Sequence, residues 1–77
     1  MTTTAYTLIE VIPGSSGDVL PKLKSLAGVK SADCVTGPYD IIATIEGENM
    51  SDIGVLITSR IDRISGVCRT VTCLALA

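Results

Sequence analysis

The sequence contains no histidine, phenylalanine or tryptophan and only two tyrosines among its 77 residues. Because histidine is the commonest general base and a frequent metal and haem ligand, its absence argues against most hydrolase and metalloenzyme mechanisms. Six Lys and Arg residues against eight Asp and Glu residues leave a formal net charge of −2. The chain therefore offers no basic surface for nucleic-acid phosphates, and we expect no direct nucleic-acid binding.

Cysteines and long apolar runs are also scarce. Cys34, Cys68 and Cys73 are an odd number without C-x-x-C spacing, which argues against a disulfide framework and a zinc site, so we expect small core-filling thiols. No apolar run approaches the roughly 20 residues of a membrane helix, and the N-terminus lacks the features of a signal peptide. The sequence predicts a cytoplasmic protein with no cofactor and no membrane association.

Aliphatic residues dominate the remainder, since 47% of the chain is hydrophobic. A chain of this length supports one domain, buries roughly 60% of its unfolded surface and is usually marginal on its own. We therefore predict a single domain over residues 1–77, with residues 1–4 as a flexible tail. A core without large aromatic anchors also makes oligomerisation an early expectation.

Apolar periodicity divides the chain into four strands and two helices. Strands are predicted at residues 5–12, 29–36, 39–46 and 67–76, where β-branched and apolar residues recur between Gly and Pro turns. Each helix has one apolar face, formed by Val19, Leu20, Leu23, Leu26 and Ala27 in the first and by Ile53, Leu56, Ile57, Ile61 and Ile64 in the second.

The ends of both helices are predicted from capping residues. Ser16 or Asp18 is expected to cap the first helix, which places Pro21 in the first turn if Asp18 is the cap, and Gly28 is expected to end it. Asn49 or Ser51 is expected to cap the second helix, which should end before Gly66. The order β-α-β-β-α-β predicts a ferredoxin-like α+β fold, a four-stranded antiparallel sheet with both helices on one face.

An internal repeat supports this topology. Gly28-Val29 and Gly66-Val67 each close a helix with Gly and open a strand with Val, 38 residues apart and so half the chain length. The third and fourth strands also carry apolar residues on both faces, unlike an antiparallel sheet that is wetted on one face. Two helices cover one face only, so the sequence predicts that a second subunit stacks its sheet on the other, in an isologous dimer. The alternative is that Thr-rich, small-residue strands lie half exposed.

The turn between the middle strands is the first candidate site. Gly37 and Pro38 fix the backbone, and the Tyr39 hydroxyl and Asp40 carboxylate could hold a cationic or zwitterionic group such as an α-amine. The structural alternative is that Tyr39 packs in the core and Asp40 binds nearby backbone N–H groups. Thr70 and Thr72 share a face of the last strand and could bind a carboxylate or amide, although β-propensity explains them equally well.

Taken together, Gly28-Val29, the sequence T-G-P-Y-D at residues 36–40, and Gly66-Val67 followed by Arg69-Thr70 resemble the effector-binding (RAM) domain of the Lrp/AsnC transcriptional regulators. The resemblance spans residues 5–76. It implies a dimeric α/β barrel whose dimers assemble into tetramers, octamers or rings, with an amino acid or related metabolite bound in a cleft between dimers. The ligand-binding positions it implies are Gly37, Tyr39, Asp40, Met50, Thr72, Cys73 and Leu74.

No helix-turn-helix precedes the first strand, so the chain resembles the stand-alone members of that family, which implies a non-enzymatic module regulated by ligand-linked oligomerisation. Full-length paralogues are possible partners, and mixed assembly with them is one alternative function. A second alternative is a small dimeric α/β-barrel enzyme, an isomerase or monooxygenase that uses Asp40 or Tyr39 for acid–base chemistry. A third is an ACT-like amino-acid sensor, whose sheets pair side by side.

Overall fold

The computed structural model describes residues 2–76. Four strands and two helical segments follow one another in the predicted order, and the sheet order is β2-β3-β1-β4. The elements are β1 (Thr3–Val11), α1 (Ser16–Lys24), β2 (Val29–Cys34), β3 (Ile41–Gly47), α2 (Met50–Leu56), which continues as a π-helical turn (Ile57–Ile61), and β4 (Val67–Leu74).

All neighbouring strands are antiparallel. In the centre of the sheet, Ile9 of β1 lies opposite Ile41 of β3 on one side and opposite Thr70 of β4 on the other. The outer strand β2 forms a hairpin with β3, in which Cys34 lies opposite Ile41. The predicted hairpin and the ferredoxin-like sheet are therefore confirmed.

The core lies between the helices and one face of the sheet. Alternate residues of β1 and β3 point to the same face and are almost completely buried, as the two-residue period of a strand requires. The buried core comprises Ala5, Ile9, Val11, Ala32, Ile41, Ala43 and Ile45 from the strands and Val19, Leu23, Ile53 and Ile61 from the helical segments. The prediction that both helices cover one face is confirmed.

The internal repeat has a structural counterpart at its two glycines. Gly28 and Gly66 both adopt a positive φ, +96° and +101° respectively, which side chains with a Cβ rarely tolerate. The carbonyl oxygen of Gly28 accepts a 2.8 Å hydrogen bond from the Glu46 amide, and that of Gly66 accepts a 2.8 Å bond from the Ile12 amide. Each glycine therefore turns the chain from a helical segment into a strand and joins it to a neighbouring strand.

The first strand starts earlier than predicted. Thr3 and Thr4 lie opposite Gly47 and Glu46, so they belong to β1 and not to a flexible tail. Strand propensity favours this, because threonine is β-branched and a partner strand is available. The strands β2, β3 and β4 differ from their predicted bounds by one or two residues at their ends.

The start of α1 also differs from the prediction. Ser15 occupies the N-cap position and makes no side-chain capping bond, while its carbonyl oxygen accepts hydrogen bonds from the Asp18 and Val19 amides. Helical hydrogen bonding therefore begins before Asp18, and neither Ser16 nor Asp18 is the cap. Pro21 consequently lies beyond the first turn, and the helix ends at Lys24, ahead of Gly28.

The second helix is capped by Asn49, one of the two residues predicted for that position. The Asn49 side chain accepts a 2.9 Å hydrogen bond from the Asp52 amide, and Asp52 in turn accepts a bond from the Glu48 amide. The helix widens after Leu56 into a π turn, closed by a 2.8 Å hydrogen bond from the Asp62 amide to the Ile57 carbonyl. The π turn was not predicted, because the apolar spacing of the sequence fits an ordinary α-helix.

The expectation of core-filling cysteines is wrong. All three are free and exposed. Cys34 ends the outer strand β2, whereas Cys68 and Cys73 lie on β4, which contains no buried residue. Cys73 lies opposite Tyr6, on the face of the sheet without helices.

Within residues 2–76, no helix is long and apolar enough to cross a membrane. In the same part of the chain, no group of three or more His, Cys, Asp or Glu residues could hold a metal ion.

Candidate functional site

The turn from Gly37 to Asp40 is attached to the sheet through its backbone. The Asp40 carbonyl accepts a 2.9 Å hydrogen bond from the Val35 amide, which closes the turn, and the Asp40 amide donates a 2.9 Å bond to the Ile9 carbonyl. Gly37 has a φ of +120°, and a Cβ there would meet nothing within 4 Å. Glycine is required at this position by the backbone conformation and not by crowding.

The Asp40 carboxylate is also committed to the backbone. Its Oδ2 atom accepts a 2.9 Å hydrogen bond from the Val11 amide, at the end of the neighbouring strand. A β-bulge lies between Glu10 and Val11, so this amide lies where the strand register shifts and the side chain supplies its partner. The structural role weighed for Asp40 from the sequence is therefore present, and Oδ1 makes no hydrogen bond to another described residue.

Tyr39 is half-buried and does not pack in the core. Its hydroxyl oxygen accepts a 3.4 Å hydrogen bond from Nη2 of Arg69, and the Arg69 guanidinium carbon lies 5.9 Å from the centre of the Tyr39 ring. This cation–π contact joins the turn to the start of β4 across 30 residues of sequence. Arg69 therefore contacts a predicted site residue but is not itself among the residues predicted from the sequence, because only the strand register brings it beside Tyr39.

The other predicted ligand-binding residues occupy both faces of the sheet. Thr72 faces the helices, where its hydroxyl lies 3.3 Å from the hydroxyl of the fully buried Thr7. Cys73, the next residue, faces the opposite side. Leu74, 37% exposed, lies on the helix side at the end of β4, and Met50, 65% exposed, is the first residue of α2. The shared face predicted for Thr70 and Thr72 is confirmed, because they lie opposite Ile9 and Thr7, which are both buried on the helix side. The Thr70 hydroxyl also donates a 2.9 Å hydrogen bond to Asp62, just after the π turn.

These residues form two separate groups in one chain. The turn lies next to the Ile9–Ile41 pair, whereas Leu74 lies opposite Ala5, four residues away along β1. Four residues of strand correspond to roughly 14 Å, so the turn lies at one end of the sheet and Leu74 at the other, where β3 also ends at Gly47 and leads to Met50. We call Met50 and Leu74 the Met50–Leu74 group; Thr72, opposite Thr7, lies between this group and the turn. A small metabolite cannot contact both groups within a single chain.

The face of the sheet opposite the helices has an apolar centre and is uncovered. Residues paired across antiparallel strands share a face, which places Leu8 between Ile42 and Val71, and Tyr6 between Thr44 and Cys73. Tyr6 is 46% exposed and Val71 is 37% exposed.

Charged residues lie at the ends of this face, Glu10 opposite Arg69 at one end and Glu46, 3.8 Å from Lys30, at the other. We name this surface the open face. Its apolar centre agrees with the sequence pattern.

Three surface depressions formed by described residues lie away from the predicted site. One of about 330 Å³ lies beside Lys24 and Lys30, one of about 380 Å³ lies at the start of α1, and one of about 150 Å³ lies between Leu26 and Arg60. None of these three is lined by any of the seven predicted ligand-binding residues.

Comparison with known proteins gives a consistent result. The family described as the Lrp/AsnC ligand binding domain matches residues 4–77. An uncharacterised HTH-type transcriptional regulator from Pyrococcus furiosus is 30% identical over 73 residues, which cover 91% of this chain and 49% of that protein. The chain thus spans about half the length of the curated relatives that it matches.

Solved structures share the fold. A protein from Thermus thermophilus superposes with a TM-score of 0.92 at 29% identity, over 97% of this chain and 94% of that one. A transcriptional regulator from Neisseria meningitidis, solved as a complex with L-methionine, superposes with a TM-score of 0.89 at 14% identity, over 97% of this chain and 50% of that one. The second likeness concerns the fold alone.

Proposed function

The chain belongs to the Lrp/AsnC ligand-binding domain family, and from that premise we propose that it is a regulatory module which binds an amino acid or related metabolite between subunits and thereby controls its own assembly. Its curated relatives are HTH-type transcriptional regulators, of which it spans about half. The proposed role is regulatory binding without catalysis.

The uncovered apolar centre of the open face is the observation that carries this proposal. Leu8, Ile42 and Val71 lie side by side across three strands on the face without helices. Burying such side chains contributes about 25 cal/mol per Å² of apolar area removed from water. A second copy of the same face is the partner we propose, because an isologous contact brings apolar centre against apolar centre and leaves the charged ends at its rim.

The separation of the two groups of site residues supports a ligand site that is shared between subunits. The Gly37–Asp40 turn and the Met50–Leu74 group lie roughly 14 Å apart in one chain. A ligand that contacts the turn of one subunit and the Met50–Leu74 group of another would contact only one end of the sheet in each subunit. In this proposal, Asp40 Oδ1 receives the ligand amine and Thr72 contacts its polar end.

A ligand at such a junction acts through mass action. If it binds only where two dimers meet, it stabilises the contact by RT ln(1 + [L]/Kd) at each site, which is about 2.7 kcal/mol at a hundredfold excess over Kd. Ligand binding then changes the assembly in proportion to its preference for the assembled state. The regulatory signal is the number of subunits that associate.

The test is light scattering on a sizing column, with and without each of the twenty amino acids. L-methionine is tested first, because the Neisseria meningitidis regulator was solved with it. The proposal predicts an assembly of at least two subunits whose mass or melting temperature responds to one of the amino acids. A monomer that responds to none of them contradicts the proposal, whereas an unresponsive dimer contradicts the ligand class and supports the dimer alone.

Two substitutions of Asp40 separate its structural role from its proposed binding role. Asp40→Asn keeps an oxygen that can accept the bond from the Val11 amide but removes the charge, whereas Asp40→Ala removes both. We expect Asp40→Ala to lower the free energy of unfolding by about 1–3 kcal/mol, because the Val11 amide loses its partner, and Asp40→Asn to lower it less. Both should weaken ligand binding in calorimetry. If Asp40→Asn binds as tightly as the wild type, Asp40 does not meet the ligand amine.

A further inference from the structure

Arg69 is an exposed cation without an ion-pair partner among residues 2–76. It lies opposite Glu10 in the strand register, but no carboxylate oxygen in this part of the chain is within 4.0 Å of its guanidinium. Its only side-chain hydrogen bond there is the 3.4 Å contact from Nη2 to the Tyr39 hydroxyl. At that length the bond is weak, and most of the five guanidinium N–H groups remain available to another acceptor.

The Tyr39 ring restricts the orientation of this cation. The guanidinium carbon is 5.9 Å from the ring centre, within the range of a cation–π contact. A planar guanidinium held by an aromatic ring is ordered before it meets an anion, so it loses less conformational freedom when a carboxylate binds it through two parallel hydrogen bonds. The turn thus has a cation against its Tyr39 ring as well as the Asp40 carboxylate.

Opposite charges therefore adjoin Tyr39 on two sides. Asp40 follows it in the chain and has its Oδ1 atom unbonded within the described residues, while Arg69 contacts its ring and hydroxyl. An α-amino acid at neutral pH carries a positive amine and a negative carboxylate on one carbon, and a site with one group of each sign complements both. An amine or an amide complements only the negative group.

We propose that Arg69 binds the carboxylate of the amino-acid ligand, and that this contact makes the site prefer a free α-amino acid over the corresponding α-carboxamide. This inference rests on the proposed function and specifies the chemistry of the same site. Arg69 has a second effect, because its contact with Tyr39 also orders the turn that presents Asp40.

The experiment compares acid and amide forms of the same ligand. Binding of each free L-amino acid is measured by calorimetry, and each one that binds is measured again as its α-carboxamide, for the wild type, Arg69→Gln, Arg69→Lys and Arg63→Gln. Arg63 is an exposed arginine with no ion pair in the described part of the chain, so Arg63→Gln is the control for the same loss of charge. Melting temperatures without ligand show whether each variant folds.

The expected result is a wild type that prefers the acid over its amide about tenfold or more, as is typical of a hydrogen bond to a charged group. Arg69→Gln should bind the acid about as weakly as the amide, Arg69→Lys should keep part of the preference, and Arg63→Gln should keep all of it. A merely structural Arg69 would weaken both forms equally and leave their ratio unchanged.

Two results overturn the inference, and they differ in what they leave standing. If the wild type binds an amino acid and its amide equally, or if Arg69→Gln keeps the preference, Arg69 does not bind the carboxylate, whereas the proposed amino-acid binding stands. If the wild type binds none of the twenty amino acids, the proposed function fails, and the inference about Arg69 fails with it. Should Arg69→Gln not fold, the acid-to-amide ratio of Arg69→Lys decides.

Discussion

Ile41 and Ile42 are adjacent, identical in chemistry and located on the same strand, yet their surroundings differ completely. Ile41 faces the helices and is fully buried, whereas Ile42 points to the open face and is only half-buried. The helices complete one side of the sheet and leave the other side with apolar residues in contact with water. The comparison shows that the local sequence places an apolar side chain on each face of the strand. What packs against that side chain comes from a distant part of the chain or from another copy of it.

The two faces also differ in the surroundings of their polar groups, which are bonded to protein atoms on the helix face and exposed to water on the open face. On the helix face, the buried Thr7 hydroxyl has a partner in Thr72, and no buried side-chain polar atom in the described residues is left without one. On the open face, the charged groups lie at the ends, where water reaches them, as with the exposed pair Lys30–Glu46. The helix face resembles a finished core, and the open face resembles the centre and rim of an interface.

The largest effect should come from a charge at the centre of the open face. In an isologous dimer, Ile42→Asp places a carboxylate in the contact from both subunits, and each unpaired buried charge costs several kcal/mol. We expect the dimer to dissociate. Light scattering should show the monomer mass, and circular dichroism should show whether that monomer keeps its secondary structure. A folded protein of unchanged mass and unchanged melting temperature would contradict stacking through this face.

A smaller effect is expected from shortening a buried side chain on the face that the helices cover. Ile41→Ala removes buried methylene and methyl groups and leaves a cavity, which typically costs about 2–5 kcal/mol of unfolding free energy. Ile42→Ala is the matched control, one residue away on the same strand. Urea denaturation at two protein concentrations should show a cost for Ile41→Ala at both, and a cost for Ile42→Ala mainly where the wild type is dimeric. Equal, concentration-independent costs would mean that the two faces are equivalent within one chain.

The smallest effect concerns the hydroxyl–hydroxyl contact between Thr7 of β1 and Thr72 of β4. Thr72→Val removes the partner of the Thr7 hydroxyl, and leaving a buried hydroxyl unsatisfied costs about 1–3 kcal/mol. The double substitution Thr7→Val with Thr72→Val removes both hydroxyls and should restore part of that stability. A thermal denaturation cycle of the two single variants and the double variant measures the coupling. Additive losses would show that the two hydroxyls do not depend on each other.

Much of the fold was predictable because its determinants are local. Strand positions follow from β-branched residues between turns, and Asn49, which caps α2, is one of the two residues that the sequence predicts for that role. The start of α1 was predicted wrongly because several consecutive polar residues can cap a helix, and only the backbone shows that the Ser15 carbonyl accepts the first bonds. The π turn after Leu56 was missed because the spacing of its apolar residues also fits an α-helix.

The candidate site was predictable in part. The turn residues Gly37, Tyr39 and Asp40 were identified from the sequence, and the backbone bond of Asp40 was one of the two roles weighed for it. Arg69 was missed as a contact of Tyr39, since 30 residues separate the two and only the sheet register brings them together. The expected burial of the cysteines was wrong, because the apolar character of a residue does not reveal whether the helices cover its side chain.

The sequence by itself determined the order of strands and helices, the apolar face of each helix and the family to which the chain is similar, because these depend on spacing between near neighbours. Only the tertiary structure decided that Ile41 is buried while Ile42 is open, that Tyr39 lies against Arg69, and that the turn and the Met50–Leu74 group are at opposite ends of the sheet. Those facts depend on strand register and on the limited area that two helices can cover, and neither is encoded in any short stretch of residues.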